Sequence, residues 1–184
     1  LGDTAAWTNL SSFSGHGGKL LFYHGVSDPW FSSLDTVQYY EKLAAASGGA
    51  AATRAWSRLF LVPGMGHCGG GSALDQFDAL SAIVDWVENG NAPESILAAS
   101  GPPTAPTRTR PLCPYPQTAI YKGTGSTDDA ANFECGGNLE KRRVVCDDVL
   151  TRYKHEVNGP LDFRGTGVNR FECRVGHGHG HDDD

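Results

Sequence analysis

Lys19-Leu20-Leu21-Phe22-Tyr23-His24-Gly25-Val26-Ser27-Asp28-Pro29-Trp30 is an apolar run that opens into a polar turn. Arg58-Leu59-Phe60-Leu61-Val62-Pro63-Gly64-Met65-Gly66-His67-Cys68-Gly69-Gly70-Gly71 repeats the pattern. Continuous apolar runs of this length, without alternation, read as strands buried on both faces in a parallel sheet. Between them Val37, Tyr40, Leu43 and Ala44 fall at helical spacing from Asp35 to Ala46, and Ser47-Gly48-Gly49 is a natural stop. Asp35 is placed to cap the start of that helix. Leu74 to Asn89 reads as a second helix, with Phe77, Leu80, Ile83, Val84 and Val87 on one face and Asn89-Gly90-Asn91 at its end. Ala92-Pro93-Glu94 is expected to open a turn or short helix reaching about Ala98. Strand, helix, strand, helix with short loops is a βαβα unit of a parallel sheet, so the fold class is α/β.

The 184 residues are enough for one domain with a core, and an apolar share of 39% with 24 glycines describes a loop-rich globular chain. A net charge of −6 excludes nucleic acid or an anionic membrane as the main partner, because both select clustered Lys and Arg. No run reaches the roughly 18 apolar residues that a membrane helix needs. Residues 100–118 are proline-rich and are expected to form an extended surface strap rather than a core element. Residues 1–135 carry 7 of the 15 basic residues and 12 of the 21 acidic ones, and the remainder carry 8 and 9. That shift sets a boundary near 135, beyond which 136–184 is a charged, irregular extension. With no signal peptide and Met65 as the only methionine, the chain is expected to start inside a longer precursor.

An acid after one parallel strand and a histidine after the next are the second and third members of a nucleophile–acid–base triad, in α/β-hydrolase chain order. Asp28 is the candidate acid: a carboxylate in a loop at the C-terminal edge of the sheet can fix an imidazole tautomer and stabilise the imidazolium. An isolated Asp-Pro is more often an ordinary turn, and Asp35 is a rival. His67 is the candidate base, and the glycines around it suggest a backbone that approaches something closely. Neither residue alone carries the assignment; their pairing in equivalent loops does. Trp30 and Phe31 follow the acid and are candidates to line an acyl pocket, with core packing the competing reading. Cys68, directly after the histidine, reads either as a disulfide partner or as a buried thiol.

At these residues the chain resembles the tannase/feruloyl esterase family. The resemblance rests on His24-Gly25-Val26-Ser27-Asp28-Pro29, Val62-Pro63-Gly64-Met65-Gly66-His67-Cys68-Gly69-Gly70-Gly71 and Ala82-Ile83-Val84-Asp85-Trp86-Val87-Glu88-Asn89-Gly90. Arg110-Pro111-Leu112-Cys113-Pro114-Tyr115-Pro116, Tyr121-Lys122-Gly123-Thr124-Gly125 and Asn132-Phe133-Glu134-Cys135 extend it, so that it spans about residues 14–135. The family, which includes the bacterial mono(2-hydroxyethyl) terephthalate hydrolases, implies a secreted (extracellular or periplasmic) serine esterase acting on aromatic acid esters. It implies Asp28 as triad acid and His67 as general base. It also implies a disulfide from Cys68 to a cysteine outside this chain, beside the nucleophilic serine, and a Cys113–Cys135 staple of the strap. Of the five cysteines, Cys146 and Cys173 remain, and they are available to pair with each other.

The family's Gly-Cys-Ser-x-Gly-Gly elbow is not in this sequence, nor is any Gly-x-Ser-x-Gly, and the donors expected from the residue after the nucleophile go with it. The family's lid, which often holds calcium, also lies upstream, so no cofactor is expected in this chain. Residues 1–135 are therefore read as the C-terminal part of an α/β-hydrolase catalytic domain. The serine would come from an N-terminal part or a second chain, a small aromatic ester would be the substrate, and the isolated chain is expected to be close to inactive. Ser27, Ser32 and Ser33 lack the elbow context to replace the serine. The alternative is a truncated, non-catalytic member acting as an interaction module. His177, His179 and His181, followed by three Asp, could hold a transition metal weakly, but a solvated tail is the expectation and no metal site is assigned.

Overall fold

The computed structural model describes residues 7–67, 69–71, 73–101 and 107–137. The expected Cys68 and Cys146–Cys173 pairings, the extension beyond 137 and its histidine tail lie outside the described residues.

After a short helix α1 (Ser11–Gly15), strand β1 (Leu20–Gly25) leads into helix α2 (Ser33–Ala46), a one-turn helix α3 (Ala50–Arg54) and strand β2 (Ser57–Val62). β1 and β2 pair in parallel, from Leu20 opposite Ser57 to Gly25 opposite Val62. This register brings the two strands to their C-terminal ends together, so their following loops emerge side by side. Strand alternation divides the side chains between two layers. Leu59 and Leu61 of β2, with Leu20 and Phe22 of β1, pack with Tyr40 and Leu43 of α2 and with Trp56. Phe60 and Val62, with Leu21, face a second cluster of Met65, Ala73, Ile96, Ala98 and Leu112.

The expected cap of α2 is corrected by one turn. Ser32, extended at φ −69° and ψ 126°, caps the helix by accepting from the Leu34 N–H, and Asp35 falls within the first turn. There its charge still complements the helix N-terminus, which is why the sequence signal resembled a cap.

The chain after β2 departs further from expectation. Gln76–Phe77 is a short strand β3, and helix α4 runs only from Ala79 to Asn89. Asp78 is its cap, accepting from the Ser81 N–H, and Gly90 ends it in the left-handed conformation at φ 78°. Trp86 is the buried residue of α4, under the guanidinium of Arg58 and the ammonium of Lys19, whereas Leu80, Val84 and Val87 of the expected apolar face are exposed.

Residues 96–99 are a strand, β4 (Ile96–Ala99), not the expected turn or helix. β4 pairs antiparallel with β3 on one side and with β5 (Thr109–Leu112) on the other. Burial of Ile96 and Ala98 on one face of β4 decides this against weak helical spacing. The proline-rich strap is likewise partly core: Leu112 and Cys113 are buried, and Tyr115 donates its N–H to the Leu59 carbonyl at 2.7 Å. Prolines sit at an edge without losing ladder bonds, so a proline-rich segment can close β2. Strands β6 (Thr118–Tyr121) and β7 (Phe133–Gly136) form a separate antiparallel pair. A disulfide joins Cys113 to Cys135 with Cα atoms 5.4 Å apart, tying that pair to the end of β5.

Candidate active site

The candidate site is formed by the two loops that leave the parallel strands. The Asp28 N–H bonds the Gly25 carbonyl, which closes a turn, and the Ser27 N–H reaches across to the Met65 carbonyl at 3.0 Å. Gly25 makes that approach feasible, because a Cβ there would lie 2.5 Å from the Met65 carbonyl oxygen. On the other side, Met65 and Gly71 bridge antiparallel, and His67 lies between them.

Asp28 and His67, 39 residues apart, meet with Nδ1 of the imidazole 2.8 Å from Oδ2 of the carboxylate. The carboxylate side chain is 3% exposed and the imidazole 39%, so the acid lies beneath a base that opens outward. Oδ1 accepts the backbone N–H groups of Trp30 at 2.8 Å and Phe31 at 3.0 Å. Burial pushes the Asp28 carboxyl up. The His67 hydrogen bond, the Phe31 and Trp30 N–H groups and the imidazole's charge outweigh that effect and bring it from the usual 3.8 to about 2. An ionised Asp28 is acceptor-only, so His67 must present Nδ1–H to it, which leaves Nε2 as the basic nitrogen.

Trp30 and Phe31 are not core. Their rings flank His67, one edge-on at 5.1 Å and the other tilted at 5.3 Å. They remain 73% and 61% exposed. A cavity of about 670 Å³ opens here, lined by His24, Asp28, Phe31, Thr36, Tyr39 and His67.

Two residues at the site were not singled out from the sequence. Asp75 accepts the Gly70 N–H at 2.6 Å and bonds the Gln76 amide at 3.0 Å, which anchors the far stem of the His67 loop. Those bonds hold its carboxyl below the usual range. His24, the penultimate residue of β1, is the second. It places Nδ1 2.7 Å from the Thr36 hydroxyl and Nε2 3.1 Å from the Phe31 carbonyl, and approaches Asp28 Oδ2 to 3.6 Å. A histidine four residues before the acid, where alternation calls for an apolar residue facing α2, was the available signal. Among the described residues no group of three or more His, Cys, Asp or Glu side chains is arranged to hold a metal ion, and no helix is long and apolar enough to cross a membrane.

Known proteins share this arrangement of sequence and fold. The family model for tannase and feruloyl esterase matches residues 3–136. The chain is 54% identical over 134 residues to a mono(2-hydroxyethyl) terephthalate hydrolase of Piscinibacter sakaiensis, covering 71% of this chain and 22% of that one. It is 37% identical to feruloyl esterase B of Aspergillus niger, covering 69% of this chain and 27% of the relative. Among solved structures it is similar to feruloyl esterase B from Aspergillus oryzae, with a TM-score of 0.61, 31% identity, and coverage of 71% of this chain and 29% of the other. The chain thus spans less than a third of the length of these relatives. Over residues 3–136, it belongs to the tannase and feruloyl esterase family.

Proposed function

We propose that this chain is the acid- and base-bearing, C-terminal part of a serine esterase that hydrolyses small aromatic acid esters. The observation that carries the reading is the Asp28–His67 contact of 2.8 Å in a chain of this family. Asp28 holds Nδ1–H, and Nε2 takes the proton of a serine hydroxyl as its oxygen attacks the ester carbonyl. His67 then returns that proton to the departing alcohol, and water repeats the cycle on the acyl-enzyme. The exposed Trp30 and Phe31 rings beside the base would form one wall for the aromatic acyl group.

The serine and its oxyanion donors are assigned to an N-terminal part or a second chain. Two features support a missing neighbour. β1 pairs only with β2 among the described strands, and Leu80, Val84 and Val87 of α4 are left in water. Open edges and apolar stripes of this kind are normally covered. Cys68 is proposed to carry the covalent link to the serine-bearing part, and a secreted or periplasmic setting would suit such a bond.

The test is mass analysis of native material without and with reductant, followed by assay on methyl ferulate, methyl gallate and mono(2-hydroxyethyl) terephthalate. A larger disulfide-linked species that hydrolyses one of these esters, and that loses activity in His67→Ala, supports the proposal. Native material at the mass of this chain, without turnover and with Cys68 as a free thiol, overturns it in favour of a non-catalytic module.

A further inference from the structure

We infer that His24 is a positioning residue that clamps the acid turn: it holds Asp28 for His67 and sets the Phe31 wall. The inference rests on the triad reading of Asp28 and His67 but adds a residue to it. A carbonyl oxygen only accepts, so the 3.1 Å contact to the Phe31 carbonyl requires a proton on His24 Nε2. In the neutral ring Nδ1 is then the acceptor, and the Thr36 hydroxyl at 2.7 Å donates to it. Both ring nitrogens are thereby satisfied in a side chain only 15% exposed.

The consequence is a residue, Phe31, whose backbone is gripped on both sides of its Cα. The Phe31 N–H bonds Asp28 Oδ1 and the Phe31 carbonyl is held by His24, while the same His24 Nε2 lies 3.6 Å from Asp28 Oδ2. Rotation of the carboxylate away from His67 would break the Phe31 and Trp30 N–H bonds and move the turn off His24. The clamp rests on rigid elements, since His24 belongs to β1 and Thr36 to α2. Besides these partners, the charged or titratable side chains lining the same cavity are Asp35 and Tyr39 from α2, Tyr23 from β1 and His67 from the base loop.

Ring ¹⁵N shifts of the full chain, followed across pH, report which nitrogen carries the proton. In the unsubstituted chain His67 should be predominantly the Nδ1–H tautomer and His24 the Nε2–H tautomer. His24→Phe keeps ring volume but has no N–H, and should shift His67 toward Nε2–H by about three-fold or more. His24→Gln, whose amide can reach the Phe31 carbonyl, should restore it. Thr36→Val, which leaves the imidazole in place, should raise the Nδ1–H share of His24. If His24→Phe loses its dispersed amide spectrum, the Gln and Val variants decide on the same reading. An unchanged His67 tautomer in His24→Phe, or a His67 ring lacking the Nδ1–H preference in the unsubstituted chain, overturns the clamp. An intact clamp in a chain whose reconstituted esterase activity survives Asp28→Asn would instead sink the triad reading.

Discussion

Gly25 and Gly66 meet backbone to backbone: a Cβ on Gly25 would stand 2.2 Å from the Gly66 carbonyl oxygen. The turn that holds the acid and the loop that holds the imidazole therefore share one contact that no side chain fits. Nothing flexible lines it, because both nearest groups are carbonyl oxygens of the main chain.

Gly25→Ala should accordingly push the two loops apart. The expected cost is about 1–3 kcal/mol, as for other overpacked sites, seen as a lower denaturation midpoint. The His67 Nδ1–H tautomer should be lost with it. An alanine variant with unchanged midpoint and tautomer would show that the loops can slide past each other.

Asp28→Asn tests the acid separately from the packing. In the complete esterase kcat should fall by about 10⁴, because an amide can present its NH₂ to Nδ1 and stabilise the wrong tautomer. KM should change little, since the carboxylate is not placed to bind the ester. A fall of only a few-fold would remove Asp28 from the mechanism.

The low Asp28 carboxyl, about 2 against an ordinary 3.8, has a definite sign in stability. The folded state binds the proton less tightly than the unfolded chain does. Its contribution is complete above 3.8 and disappears as pH falls through about 2. The side-chain ¹³C carboxyl shift of Asp28 should titrate near 2, and Asp28→Asn should flatten the acid limb of the stability curve. A midpoint at the ordinary value would mean that the three donors to the carboxylate are not kept in solution.

Asp75→Ala should loosen the His67 loop without unfolding the sheet, because Asp75 bonds the Gly70 N–H and the Gln76 amide. Amide exchange at Gly70 should quicken by about ten-fold, in line with loss of one charge-assisted hydrogen bond. Activity of the complete enzyme should fall while the denaturation midpoint moves little.

The disulfide between Cys113 and Cys135, 22 residues apart, closes a loop around β6 and the 3-10 turn Ala130–Asn132. Replacing both cysteines by alanine should lower stability by about 3 kcal/mol, from the entropy regained by the unfolded loop. Denaturant titration reads this directly. The His67 tautomer should be unaffected, since the bond ties β5 to β7 and not to the dyad.

The two parallel strands, the helix between them and the acid and histidine loops were legible in the chain, although only β2 is buried as expected and β1 is half-buried with Tyr23 exposed. Uninterrupted apolar runs leave parallel pairing as the way to satisfy backbone groups away from water, and glycine or proline closes each run. β4 and the short β3 were not legible. Ile96-Leu97-Ala98-Ala99 has no strong intrinsic preference, and its strand character comes from neighbours on either side. The apolar stripe of α4 was legible as a face but its exposure at Leu80, Val84 and Val87 was not, because periodicity reports what a face prefers and not whether a partner covers it.

Sequence alone thus determined the candidate dyad, since Asp28 and His67 each follow a strand and parallel pairing must bring strand ends together. The support around them is a product of packing in three dimensions. The Gly25–Gly66 approach, the grip of His24 on the Phe31 carbonyl and the hold of Asp75 on Gly70 all join residues through space, at distances of a few ångströms. Hydrogen bonds of that kind depend on the angle at which one loop leaves the sheet relative to another. That angle is set by packing of the whole layer, and no local pattern of residues encodes it.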